Sequence, residues 1–193
     1  MSEQRWLVVG LGNPEDQYGA TRHNVGADAV RRLAAREQVA LARNKRVRCE
    51  LAEVRLGAAR VVLAVPSSYM NTSGGPVQAA AAWYKVEVEQ VIVCHDDLDL
   101  PVGELRFKRG GGHGGHKGLV DLDRALGTRD YLRVRLGIGR PPGRMPAKDY
   151  VLRRFAPAER EQIDVAITEA GDAIATLVAE GLEPTQNRYH GRS

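Results

Sequence analysis

Strand-like apolar runs alternate along this chain with stretches of helical period, and that alternation restricts the fold more than any other feature. Trp6-Leu7-Val8-Val9 has the character of a buried first strand and ends in Gly10-Leu11-Gly12-Asn13-Pro14. Residues 27–37 then place Val30, Leu33 and Ala34 on one helical face. Residues 48–54 and 60–65 read as two strands with Gly57 near the turn between them, and a helix follows from Pro76 to Trp83, with its proline in the first turn. Residues 91–94 and 104–108 are further strands. Residues 118–126 form a helix that Gly127 stops. Leu132, Val134, Leu136 and Ile138 alternate with Arg133, Arg135 and Gly137, the period of a half-buried strand. A long helix over 157–180 carries Ile163, Ile167, Ile174, Leu177 and Val178 on its apolar stripe and closes at Gly181. The expectation is an α/β fold, one globular domain over residues 1–193 with a central twisted mixed β-sheet flanked by helices. The hairpin-like 48–65 region is what makes the sheet mixed. Residues 140–146 are the loosest stretch and are expected to form a surface loop.

Apolar residues make up 43% of the 193 residues and charged residues 27%, which suits a soluble globular chain with one core. The N-terminal residues run straight into a strand without the pattern of a secretory signal. No apolar run approaches the roughly 18 residues of a membrane span. Cys49 and Cys94 both lie in strand-like segments and read as buried free thiols. A cytoplasmic location and no membrane partner are expected. The net charge of +4 hints at a polyanionic partner. The cations are clustered: Arg43, Lys45, Arg46 and Arg48; Arg106, Lys108 and Arg109; Arg133 and Arg135; Arg140 and Arg144.

Polar motifs gather where strands end, which is where open α/β sheets bind ligands. Asn13 and Thr21-Arg22-His23-Asn24 follow the first strand. Ser67 to Asn71 follows the strand at 60–65, and His95-Asp96-Asp97-Leu98-Asp99 follows that at 91–94. A dinucleotide fingerprint would need a third glycine where Glu15 stands. The glycine-rich stretch from Gly110 to Gly118 suits close backbone approach to a phosphate, but Gly118 occupies the place of the Ser or Thr that a nucleotide-triphosphate loop uses for magnesium. His95, His113 and His116, with nearby aspartates, have metal-binding chemistry without a metal-site spacing. There is no serine-nucleophile elbow, and the cysteines read as buried. Water is then the nucleophile, and a base must activate it. His23 suits that role because a histidine titrates near neutral pH, with Asp96 as the carboxylate that fixes its tautomer.

Taken together, Val9 to Pro14, Tyr18, Thr21 to Asn24, Pro66 with Tyr69-Met70-Asn71 and Ser73-Gly74, His95 to Pro101, Gly114-Gly115-His116 with Gly118-Leu119, and Arg135 to Gly139 resemble the bacterial peptidyl-tRNA hydrolase family. The runs span nearly the whole chain in the family's order. The resemblance implies a monomeric phosphorylase/hydrolase-like α/β globule. It would cleave the ester between a peptide and tRNA, engage the acceptor stem and 3′ end, and need no cofactor or metal. It implies His23 as the base, Asp96 as its support, Asn13 as the residue that senses a blocked amino group, and Asn71 as the one that holds the peptide backbone. Tyr18, Tyr69 and His116 fall at substrate-side positions, and Arg106, Lys108 and Arg135 at tRNA-phosphate positions. Two residues depart from the family pattern. Lys117 stands where an asparagine is usual and removes an acceptor while adding a charge. Glu15 stands where a glycine commonly follows Asn-Pro. The alternative is an RNA-binding member of the same fold with impaired catalysis; a more distant one is a metal-dependent hydrolase on His95, His113 and His116.

Overall fold

The order of elements in the computed structural model, which describes residues 4–189, begins with β1 (Arg5–Gly10), α1 (Glu15–Tyr18), α2 (Val25–Arg36), β2 (Ala42–Asn44), β3 (Cys49–Leu56), β4 (Ala59–Pro66) and α3 (Gly74–Trp83). It continues with β5 (Val91–Asp97), β6 (Leu105–Arg109), α4 (Lys117–Leu126), β7 (Leu132–Gly137), α5 (Ala147–Tyr150), α6 (Pro157–Glu180) and α7 (Leu182–Tyr189). The seven strands form one sheet in the order β2-β3-β4-β1-β5-β7-β6. Its centre, β4-β1-β5-β7, is parallel. The pairs β2–β3, β3–β4 and β6–β7 are antiparallel, so the sheet is mixed.

Alternate side chains of the central strands feed two cores. Val8, Leu63, Ile92 and Val134 pack with α2 and α6 on one face. Leu7, Val9, Val62 and Val93 pack with α3 and α4 on the other. Because both faces are covered, the central strands read as continuous apolar runs. At about 25 cal/mol per Å² of apolar area, each fully buried Leu, Ile or Val contributes roughly 1.5–3 kcal/mol. Glycine permits the closest helix–strand approach. A methyl group on Gly26 would sit inside the carbonyl group of Cys94, so the N-terminal turn of α2 lies directly on β5.

Four details differ from the sequence expectation. β5 extends through Asp97, which places Asp96 inside the strand rather than beyond it. β7 is not half-buried with its arginines outward: Arg133 is only 1% exposed. α3 begins at Gly74, two residues before Pro76. The short β2 and the helix α7 carry no clear period in the sequence. Cys49 and Cys94 are both buried and free, and residues 140–146 contain no helix or strand. No helix among the described residues is long and apolar enough to cross a membrane.

Candidate active site

The carboxyl ends of β4, β1 and β5 deliver their polar motifs to one cleft of about 990 Å³. All the sequence-predicted site residues line it except Arg106. At its floor Asp96 accepts from two imidazoles: His23 Nδ1 lies 2.8 Å from Oδ2, and His116 Nε2 lies 2.8 Å from Oδ1. The two histidine rings stand 4.9 Å apart, centroid to centroid.

The hydrogen bonds fix the tautomers. His116 precedes α4, and its Nδ1 accepts the backbone N–H groups of Gly118 (3.1 Å) and Leu119 (3.3 Å), capping that helix. Its proton therefore sits on Nε2 and is donated to Asp96. His23 likewise donates from Nδ1, which leaves Nε2 as a lone-pair acceptor. Burial opposes the charge on Asp96. Electrostatic attraction to His23 and His116 and the N–H groups they donate outweigh that effect and hold the carboxyl well below the usual carboxylate range. His95 lies one residue earlier on the strand. Burial, then the neighbouring His116, lowers its pKa, so the ring stays neutral and donates from Nδ1 to the carbonyl of Asp96.

His23 is held by the turn that leads into α2. Its backbone N–H donates to Val151 (2.8 Å). Arg22 beside it bonds the Arg154 carbonyl and Glu159 and lies over the Tyr150 ring. Asn13 and Asn24 form a reciprocal clasp: Asn13 N–H donates to Asn24 Oδ1, and Asn24 Nδ2 donates to the Asn13 carbonyl. The Asn13 side-chain oxygen accepts from Met70 N–H at 2.8 Å. One side chain thus ties the β1 loop to the β4 loop and places the exposed Asn71. Tyr18 and Tyr69 meet edge to face, 6.4 Å apart. Lys117 is the exposed first residue of α4.

The basic positions divide. Arg133 is buried and donates to the carbonyls of Gly111 (2.9 Å) and Gly112 (2.8 Å), so it anchors the glycine loop. Arg135 pairs with Asp97, and Arg106 with Glu104. Lys108 remains in the cleft, its pKa lowered by burial and by Arg135 and Arg133. The three histidines of the metal-dependent alternative do not form one ligand set among the described residues: the His95 and His116 rings stand 5.4 Å apart, edge to face, but His113 is not grouped with them. His113 is exposed, and the group whose ligand atoms lie within 4.8 Å of one another among the described residues is His23, Asp96 and His116. Sequence reasoning missed the His116–Asp96 bond and the Asn13–Asn24 clasp. The adjacency of Asn24 to His23 in one motif was the only signal for either.

The family model described as peptidyl-tRNA hydrolase matches residues 7–193. The peptidyl-tRNA hydrolase of Frankia alni is 55% identical over 185 residues, covering 96% of this chain and 93% of that protein. That of Frankia casuarinae is 56% identical with the same coverage. The crystal structure of peptidyl-tRNA hydrolase from Acinetobacter baumannii superposes with a TM-score of 0.93 at 32% identity, covering 100% of this chain and 99% of that one.

Proposed function

From the premise that the chain belongs to the peptidyl-tRNA hydrolase family, we propose that it hydrolyses the ester between a peptide and tRNA with water activated by His23. The observation that carries the proposal is the 2.8 Å contact of His23 Nδ1 with Asp96 Oδ2, which assigns the proton to Nδ1 and leaves Nε2 free to take one. As Nε2 draws the proton from water, the imidazolium that forms lies against an ionised carboxylate. The hydroxide equivalent adds to the acyl carbon. The same proton then passes to the departing ribose oxygen, so no covalent intermediate is needed. The amide of Asn71 and the backbone N–H groups of the glycine loop are the donors available for the oxyanion.

The other roles follow the cleft. Asn13 spends its side-chain oxygen on Met70, leaving its NH₂ to meet the carbonyl of a blocked amino group. Tyr18, Tyr69, His116 and Lys117 border the peptide and the ester. Lys108 binds phosphate of the acceptor stem, with Arg135 and Arg106 held beside it by their carboxylates. The enzyme acts as a monomer in the cytoplasm, a single domain over 1–193, without cofactor or metal. A metal on His23, Asp96 and His116 would have to displace both histidine–aspartate bonds and the cap of α4.

The test is release of an N-acetylated amino acid from tRNA, with free aminoacyl-tRNA largely spared and a chelator without effect. Binding of tRNA without release would support the RNA-binding alternative. Loss on chelation that zinc restores would support a metal.

A further inference from the structure

The sequence cluster Arg43, Lys45, Arg46 and Arg48 has no part in the site just described. Arg43 lies on β2 and the other three on the β2–β3 turn, whose position the sheet register defines. Asn44 pairs with Cys49, Cys49 pairs with Pro66, and Ser67 N–H donates to the Arg48 carbonyl at 2.9 Å. The turn therefore stands at the carboxyl end of the parallel strands, beside the loop that carries Tyr69 and Asn71. At about 4.8 Å per strand, β3 and β2 lie roughly 10–14 Å from β1, on the side of the cleft opposite β6 and β7.

All four cations are exposed, and none pairs with a carboxylate among the described residues. Glu50, the nearest acid in sequence, is taken by Arg31. On the other flank, Arg106 and Arg135 are neutralised by Glu104 and Asp97, and Arg133 is buried. Beside the turn, Trp83 is 50% exposed, with the Arg46 guanidinium 5.3 Å from its ring centre. A half-exposed indole with a guanidinium over it offers a flat cationic platform next to free point charges.

We propose that the β2–β3 turn and Trp83 form a second RNA-contact surface, which binds the phosphate backbone of the tRNA whose 3′ end occupies the cleft. The proposal rests on the hydrolase reading. Unneutralised charge density favours a polyanion, and phosphate contacts fix orientation without reading sequence. The peptide is the lesser candidate, because its net charge varies from one substrate to the next.

The test compares wild type with Arg43→Gln/Lys45→Gln/Arg46→Gln in binding deacylated tRNA across a salt series. Both proteins also hydrolyse N-acetylated aminoacyl-tRNA and the same ester on a short 3′-end oligonucleotide. Three lost phosphate contacts should make the slope of log affinity against log salt shallower by about 2–3 and weaken tRNA binding about tenfold or more at low salt. KM for the full tRNA should rise with kcat unchanged, and the short substrate should be indifferent. Arg46→Lys should keep the slope. Unchanged tRNA affinity and slope would overturn the proposal. So would a loss confined to substrates with acidic peptides, which would give the surface to the peptide. If wild type failed to hydrolyse but the triple variant still lost tRNA affinity, the hydrolase reading would fail and the RNA surface would stand.

Discussion

Replacing Asp96 with asparagine should disable the enzyme through a proton on the wrong nitrogen, and the reason lies in His116. That ring cannot change tautomer cheaply, because Nδ1 accepts from Gly118 and Leu119 and a proton there would face two N–H groups. In Asp96→Asn the amide oxygen must therefore turn to His116 Nε2–H. The amide NH₂ then faces His23 Nδ1, which becomes an acceptor. The proton of His23 moves to Nε2, the atom proposed to take one from water. Each reversed hydrogen bond would cost about 1–3 kcal/mol, so the tautomer switch is the least costly response. The imidazolium also loses its counter-charge. A loss of about 3–5 kcal/mol in transition-state stabilisation corresponds to a fall in kcat of roughly 10²–10⁴. Release of N-acetylated amino acid from tRNA under saturating conditions measures it, with tRNA affinity as the control. The double variant Asp96→Asn/His116→Leu separates this account from simple loss of charge. Without His116 the asparagine oxygen is free to rotate to His23, so the double variant should be more active than Asp96→Asn alone. A double variant equally or more impaired would refute the tautomer argument, as would an Asp96→Asn enzyme within tenfold of wild type.

Asp28 on α2 has its pKa raised to about 6 by burial, against the pull of Arg160, and its Oδ2 has no hydrogen-bond partner. The folded state thus holds a proton that the unfolded chain releases near its reference pKa of about 3.9, so this stability is present below pH 4 and lost as pH rises through about 6. Asp28→Asn should gain about 1–2 kcal/mol in urea unfolding at pH 7, and the gain should vanish near pH 4. Burial pushes both the Cys49 and Cys94 thiols up to about 12, so neither should react with an aromatic disulfide reagent until the protein unfolds. Arg133→Met would leave the carbonyls of Gly111 and Gly112 without their donor and loosen the loop that carries His116. It should lower kcat more than it raises KM, at a stability cost of about 3 kcal/mol measured by thermal unfolding.

The α/β class and most of the sheet were legible because covered strands leave unbroken apolar runs, as in Trp6 to Val9 and Val91 to Cys94. β2 escaped because three residues show no period, and α7 because its apolar positions are few. Arg133 misled because alternation of arginine with aliphatic residues normally marks a solvent-facing side. Here that side is closed by Tyr131 and the glycine loop, and the guanidinium is satisfied by carbonyls that only tertiary structure supplies. The pairing of His23 with Asp96 was readable, since each sits in a polar motif at a strand end, and the two side chains do meet at 2.8 Å. The second bond of Asp96 was not. His116 lies 20 residues away in a loop whose glycines adopt left-handed φ at Gly110, Gly111, Gly114 and Gly115, and nothing in the residue pattern says where such a loop returns. For the same reason the residue pattern could not say which of the loop's histidines joins Asp96: the loop folds His116 inward and leaves His113 in solvent.

Single-turnover hydrolysis of N-acetylated aminoacyl-tRNA by His23→Ala, with enzyme in excess and tRNA affinity measured in parallel, tests the role of His23 most directly. Loss of a general base predicts a rate lower by roughly 10²–10⁴ with tRNA affinity unchanged. A cleavage rate equal to that of wild type would contradict the assignment of His23 as the group that activates water.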